Sequence, residues 1–122
     1  MDLAAAEIAG VQERYPQATI VQDGDLRALL VPGVRLPPGW NLAQTVLAVI
    51  VPVGFPHVGP DCFFADAELR LASGAEPANS AMQPLQGRQY RWFSWHPASW
   101  APGSGALGRY LRFCEARLRE VR

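Results

Sequence analysis

A serine and a histidine lie two positions apart in an aromatic stretch of the chain, at Ser94 and His96. On an extended backbone alternate side chains share one side, so the imidazole of His96 can act as a base toward the hydroxyl of Ser94. A serine hydroxyl needs such a base because it is inert near neutral pH. The same pattern is typical of a packed aromatic corner whose polar tips bond to the backbone. Spacing alone leaves catalysis and packing both open.

Cys62 is the second candidate nucleophile, and it follows Asp61 and precedes two phenylalanines. A reactive cysteine needs an electropositive setting that stabilises its thiolate, and Asp61 supplies the opposite charge. The residues therefore favour a strand cysteine that packs in the core. Cys114 lies on the apolar stripe of the last segment, which predicts a buried and unreactive thiol.

The cysteines and histidines form no recognisable metal or disulfide framework. Cys62 and Cys114 are far apart without a CxxC motif, and His57 and His96 stand in separate proline-rich segments. The chain also has no phosphate-binding glycine loop and no zinc-protease or hydrolase motif. The sequence therefore predicts no metal site, no disulfide and no cofactor.

Charge and length limit the class of protein. The 122 residues are expected to form a single domain spanning 1–122, and their 11 arginines balance 11 acidic residues without any lysine. A zero net charge disfavours nucleic acid and anionic membranes as partners. No apolar run reaches the roughly 18 residues that span a bilayer, and the start has no basic region before its apolar residues. We therefore expect a cytoplasmic protein.

The first half of the chain predicts a helix followed by strands. Leu3 to Arg14 has helical spacing of its apolar residues and ends before Pro16. Ala18 to Gln22 and Leu26 to Val31 flank an Asp-Gly pair, which favours a tight antiparallel hairpin. Thr45 to Val51 is an uninterrupted apolar run, typical of a strand in the middle of a sheet.

Proline and glycine interrupt the rest of the chain. Gly33 to Gly39 is expected to hold no regular element. Cys62 to Phe64 and Leu69 to Leu71 predict one or two further short strands. Ser73 to Gly87 is rich in turn residues and predicts a long irregular loop, a type of segment that often carries function.

The last segment predicts an amphipathic helix whose N-cap is Ser104. Its apolar stripe consists of Leu107, Leu111, Cys114, Leu118 and Val121. Four arginines are expected to lie outside that stripe, at Arg109, Arg112, Arg117 and Arg119. The order of helix, about four antiparallel strands, irregular segment and helix predicts an α+β sandwich, with the helices packed against one sheet.

The order of motifs resembles the ubiquitin-conjugating enzymes. Phe55-Pro-His-Val-Gly-Pro60 follows an apolar strand and resembles their Tyr-Pro-x-x-Pro-Pro turn. Trp100-Ala-Pro102 precedes the amphipathic helix and resembles their Trp-x-Pro segment. The details resemble the divergent prokaryotic branch called family E over most of residues 15–121, and they include Pro60-Asp61, Leu69-Arg-Leu71, Gly87-Arg88 and Trp92-Phe-Ser-Trp-His96. This resemblance implies an N-terminal helix, a four-stranded antiparallel meander, a long irregular active-site segment and a C-terminal helix.

The resemblance also implies a transferase that accepts a ubiquitin-like protein from a ThiF-type activating enzyme and passes it to a protein target. The implied setting is a bacterial conjugation pathway, with defence against phage as an expected role. In ordinary members of the superfamily the acceptor is a cysteine about eight residues before Trp-x-Pro, and a preceding His-Pro-Asn steadies the oxyanion. Here that count from Trp100 reaches Trp92 without meeting a cysteine, and His96-Pro97 is followed by Ala98.

Three interpretations follow from this departure. Ser94, activated by His96, carries the ubiquitin-like protein as an oxyester; or Cys62 is a relocated thiol acceptor; or the domain is an inactive conjugating-fold scaffold. We predict the first, with Arg88 and Arg91 stabilising the oxyanion in place of the missing asparagine.

The scaffold interpretation assigns a binding role to the aromatic residues. Such a scaffold would hold the ubiquitin-like protein through Trp92, Trp95 and Trp100, because tryptophan is common among residues that dominate interface energies.

Overall fold

The computed structural model describes residues 5–122, which form two helices and six strands. The six strands form one antiparallel sheet in the order β1-β2-β3-β4-β6-β5. The architecture is α+β, as expected. The elements are α1 (Ala5–Arg14), β1 (Thr19–Asp23), β2 (Leu26–Arg35), β3 (Gln44–Val51), β4 (Phe63–Asp66), β5 (Ser80–Leu85), β6 (Arg88–Phe93) and α2 (Ala106–Arg119).

Both helices pack against one face of the sheet. On β3, an interior strand as predicted, Leu47, Val49 and Val51 belong to the main core with both helices, while Ala48 and Ile50 contribute to a smaller apolar cluster on the other face. This alternation follows from the two-residue period of a strand. No helix within residues 5–122 is both long and apolar enough to cross a membrane.

The sheet has two more strands than the predicted meander. The predicted loop from Ser73 to Gly87 was wrong for its second half, because Ser80–Leu85 forms β5 and pairs with β6. Gln86 and Gly87 connect these strands with φ angles of 50° and 80°, the left-handed geometry that a two-residue hairpin turn requires. A Gln-Gly pair is a weaker hairpin signal than Asn-Gly or Asp-Gly, so the sequence pattern did not predict this turn.

Two other boundaries differ from the sequence prediction. β2 continues to Arg35, into the segment that was expected to be irregular, because a bulge between Val31 and Val34 accommodates a proline and a glycine. Leu69 to Leu71 is not a strand, and Leu71 forms only an isolated bridge with Trp40.

The N-terminus of α2 is stabilised by a residue of α1 rather than by Ser104. Gly105 occupies the N-cap position with a φ of 74°, and no side chain of α2 caps the helix. The carboxylate of Glu7 instead accepts hydrogen bonds of 2.9 Å from the N–H groups of Gly105 and Leu107. A carboxylate there satisfies free N–H groups and complements the helix dipole. Of the predicted first helix, Leu3 lies outside the described residues.

We expect Glu7→Ala to lower the free energy of unfolding by about 1 kcal/mol, because it removes both capping bonds of α2. Glu13→Ala is the matched control, since Glu13 is exposed on the same helix. Urea unfolding followed by circular dichroism measures both variants. Equal losses in the two variants would contradict the capping role.

The C-terminal helix confirms most of the predicted stripe and corrects its edges. Leu107, Leu111, Cys114 and Leu118 are buried, but Val121 lies beyond the end of α2 and is 37% exposed. Arg117, expected on the polar face, is instead fully buried. Its guanidinium lies over the rings of Phe93, at the end of β6, and of Trp95 just after it, which the helical period could not reveal.

Candidate functional site

The candidate site lies where β4 begins and β6 ends. The two strands are antiparallel, and Phe63 stands opposite Phe93. Residues just before β4 therefore lie beside residues just after β6. This pairing brings Asp61 and Cys62 next to the segment that contains His96, although the two are more than thirty residues apart in the sequence.

Asp61, Cys62 and His96 form a compact cluster of three different side chains. Nδ1 of His96 is 3.3 Å from Oδ1 of Asp61, and Sγ of Cys62 is 3.6 Å from the same oxygen. A ring nitrogen, the sulfur and a carboxylate oxygen all lie within 4.8 Å of one another. The side chains of Asp61 and His96 are 76% and 63% exposed, and Cys62 is half-buried. Cys62 therefore lies just before β4 rather than in a strand as expected, and its thiol is next to a base.

The backbone of Cys62 is held in a conformation that residues with a side chain rarely adopt. Its φ angle is 65°, in the left-handed region, which is uncommon for residues other than glycine. The hydroxyl of Tyr110, from the buried face of α2, donates a 2.6 Å hydrogen bond to the carbonyl oxygen of Cys62. Strained residues persist only where their surroundings fix them, and they cluster at functional sites. Helix α2 thus holds the backbone of Cys62 in place.

Burial raises the pKa of the Cys62 thiol, and the charge of Asp61 raises it further. The backbone N–H of Trp95 and the indole of Trp92 lie near the sulfur and act in the opposite direction, because a nearby donor favours the thiolate and lowers the pKa. The net shift is upward, so the thiol is protonated at neutral pH. A reaction at Cys62 therefore needs a base, and the imidazole of His96 is near.

Cys114 behaves as predicted. It is fully buried on α2, and burial raises its pKa well above the ordinary value. It has no role in the candidate site.

Ser94 lies opposite the start of β4 but does not contact His96. Its backbone N–H donates to the carbonyl oxygen of Asn79 at 2.8 Å, and its side chain is exposed. Within residues 5–122 its hydroxyl makes no hydrogen bond, and the imidazole of His96 is directed to Asp61 instead. An oxyester on Ser94 stays a prediction, because free enzymes often tighten such contacts only when substrate binds.

The two arginines expected to stabilise an anion have other partners. Arg88 donates to Asp66 at 2.7 Å and stands six residues before Ser94 on β6, about 20 Å along an extended strand. Arg91 is fully buried and donates to Glu76 at 3.1 Å. Neither guanidinium is brought to the Ser94 hydroxyl, and their role toward an oxyanion stays a prediction.

The three tryptophans do not stack on one another. Trp92 packs against the smaller apolar cluster, and Trp95 packs against the main core beneath Arg117 and Arg122. Trp100 also packs against the main core. Each ring is half-buried, and among the described residues no ring pair joins one tryptophan to another. A shared binding role stays a prediction.

The proline turn and the Trp-Ala-Pro segment contact each other directly. Nε1 of Trp100 donates a 2.7 Å hydrogen bond to the carbonyl oxygen of Pro56. A Cβ atom at Gly59 would lie 2.4 Å from the Trp100 ring, so this close approach requires glycine. The ring also packs against Phe55 and Tyr110, at centroid distances of 6.0 Å and 6.3 Å. Trp100 thereby links the turn to the helix that holds Cys62.

These features define an E2-like protein, with the proline turn and the Trp-x-Pro segment packed together near the cluster of Asp61, Cys62 and His96. The family model described as prokaryotic E2 family E matches residues 10–121, and the chain belongs to that family. Membership places it among the conjugating-enzyme-like proteins of prokaryotes. Searches of curated proteins and of solved structures return no match.

Proposed function

We propose that the protein carries a ubiquitin-like protein in a bacterial conjugation pathway. It accepts that protein from a ThiF-type activating enzyme and passes it to a protein target. Membership of the family supports a carrier, and the observation that carries the proposal is the cluster of Asp61, Cys62 and His96. A role in defence against phage stays a prediction.

Cys62 is the acceptor that the geometry supports best. His96 takes the proton from Sγ as the sulfur attacks the carbonyl carbon of the activated C-terminal carboxyl group. The bond between that carbon and the leaving group of the activating enzyme breaks as the C–S bond forms, and the product is a thioester. Asp61, 3.3 Å from Nδ1 of His96, orients the ring and stabilises the imidazolium.

No His-Pro-Asn stands at this site. We therefore assign stabilisation of the oxyanion to backbone N–H groups near Cys62. The N–H of Trp95 lies near the sulfur and favours its thiolate, and it donates to the carbonyl oxygen of Phe93 at 2.9 Å in this structure. A donor at that position stabilises charge that develops on the carbonyl oxygen next to Sγ.

Two other assignments compete with Cys62. An oxyester on Ser94 uses the same base, since His96 is exposed and free to turn. A non-catalytic scaffold uses no nucleophile and binds the ubiquitin-like protein only. The chain has no lysine, so any self-labelled product is on the N-terminal amine, a hydroxyl or a cysteine.

The first experiment asks whether the chain is charged at all. The purified protein is mixed with ATP, the activating enzyme and the ubiquitin-like protein encoded beside it, and intact mass is recorded. We expect an ATP-dependent adduct equal to both proteins less one water. Binding of the ubiquitin-like protein without any adduct would contradict the carrier and support the scaffold.

A further inference from the structure

The cluster at the start of β4 contains three of the side-chain types that bind zinc. Zinc in proteins takes thiolate sulfur, imidazole nitrogen and carboxylate oxygen, usually in a tetrahedral arrangement. Cys62, His96 and Asp61 supply one of each, with these atoms within 4.8 Å of one another. The sequence predicted no metal site because the cysteine and the histidine are distant along the chain.

The spacing of the three atoms matches the spacing that a tetrahedral zinc ion imposes. Zinc lies about 2.3 Å from sulfur and about 2.1 Å from nitrogen or oxygen, so tetrahedral angles put N and O about 3.4 Å apart and S and O about 3.6 Å apart. The observed N–O and S–O distances are 3.3 Å and 3.6 Å. Two of the three distances between ligand atoms therefore already match those around a zinc ion.

The third distance, from the sulfur to the imidazole nitrogen, shortens by a small movement of the exposed His96 side chain. His96 follows the end of β6 and is 63% exposed, so its ring has room to rotate. Cys62 is fixed from the other side by the Tyr110 hydrogen bond to its carbonyl oxygen. A cysteine that is held at its backbone and an exposed imidazole are suited to bind an ion between them.

We propose that Asp61, Cys62 and His96 bind one Zn²⁺ ion, with the fourth position open to water. The sulfur ligand selects zinc and similar borderline ions over magnesium and calcium, which prefer oxygen. Binding displaces the proton of the thiol to solvent as the S–Zn bond forms.

Zinc at this site blocks the acceptor, since the sulfur that would form the thioester is bound to the metal. This consequence rests on the proposed function, whereas the metal site itself does not. Zinc is then a reversible inhibitor of charging, and a chelator that removes the zinc restores charging.

The test measures metal binding by the isolated chain, without the activating enzyme. Metal-free protein is titrated with Co²⁺, whose thiolate charge-transfer band reports a Co–S bond, and Zn²⁺ affinity is measured by competition with a chromophoric chelator. We expect one ion per chain. Loss of a residue that hydrogen-bonds to a metal ligand weakens metal binding about 10- to 100-fold. Cys62→Ser and His96→Gln remove direct ligands, so we expect each to weaken binding by at least this factor.

His57→Gln and Cys114→Ala are the matched controls, because His57 is exposed on the proline turn and Cys114 is buried in α2. Both are expected to keep the wild-type affinity, and circular dichroism verifies that each variant is folded. The proposal is overturned if the wild type shows no thiolate band, or if His57→Gln weakens binding as much as His96→Gln. Charging is assayed separately in the presence of chelator. A failure of the carrier function therefore does not affect the metal-binding result, and a failure of metal binding does not affect the charging result.

Discussion

Arg117→Ala is expected to lower the free energy of unfolding by about 3 kcal/mol, because hydrogen bonds from a charged donor contribute about 1.5 to 3 kcal/mol each and are only partly additive. The side chain is fully buried. Its guanidinium donates to the carbonyl oxygens of Ala78, Glu120 and Arg122, at 2.8 Å, 2.8 Å and 3.1 Å. Alanine leaves these carbonyls without the donor and opens a cavity.

The rings around Arg117 add to this loss. The guanidinium carbon lies 5.1 Å from the ring centroid of Phe93 and 5.5 Å from that of Trp95, within the range of cation–π attraction. Arg117 therefore fixes both the C-terminus and the segment after β6 that leads to His96. A small domain has only about 5 to 15 kcal/mol of stability, so the loss is a large part of the total.

Thermal and urea unfolding measure the Arg117 prediction, with a fall in melting temperature of about 10 °C or more. Arg119→Ala is the control, because Arg119 is exposed two residues later on α2 and surface substitutions usually stay within about 0.5 kcal/mol. A loss below about 1 kcal/mol in Arg117→Ala would show that the guanidinium does not organise this region.

His96→Ala is expected to slow charging about 100-fold, the lower end of the range for loss of a general base. The effect follows from the raised pKa of the Cys62 thiol, which leaves little thiolate at neutral pH without a nearby base. The initial rate of adduct formation is measured by intact mass in the presence of chelator, so that metal binding does not contribute.

His57→Ala is the control for His96, because it removes the other histidine, which is exposed on the proline turn. It is expected to charge at the wild-type rate. A rate for His96→Ala within twofold of wild type would remove His96 from the chemistry and leave the thiol or hydroxyl without a base.

Local patterns predicted the elements with strong periodicity. The apolar run of β3, the hairpin between β1 and β2, whose turn is Gly24-Asp25, and the amphipathic helix α2 each appear in the structure. The α+β class followed from their order, and the proline turn with Trp-x-Pro indicated the family that the comparison shows. These features depend on residues close together in sequence, where side-chain period and turn chemistry decide the outcome.

The parts that sequence did not reveal depend on contacts between distant residues. Glu7 caps α2 from a separate helix, and Arg117 is buried because aromatic rings and carbonyls of another segment surround it. In the site, Ser94 and His96 share a local spacing, yet the antiparallel pairing of β4 with β6 places His96 beside Asp61 and Cys62. A two-residue pattern cannot show which of two neighbouring strands a loop side chain faces.

The position of the acyl bond tests the central claim most directly. Wild type, Cys62→Ala and Ser94→Ala are each charged with ATP, the activating enzyme and the ubiquitin-like protein, and the adducts are weighed before and after dithiothreitol or hydroxylamine. The account predicts an adduct that dithiothreitol cleaves, present in wild type and Ser94→Ala and absent in Cys62→Ala. An adduct that resists dithiothreitol, yields to hydroxylamine and disappears only in Ser94→Ala would contradict it and establish the serine oxyester.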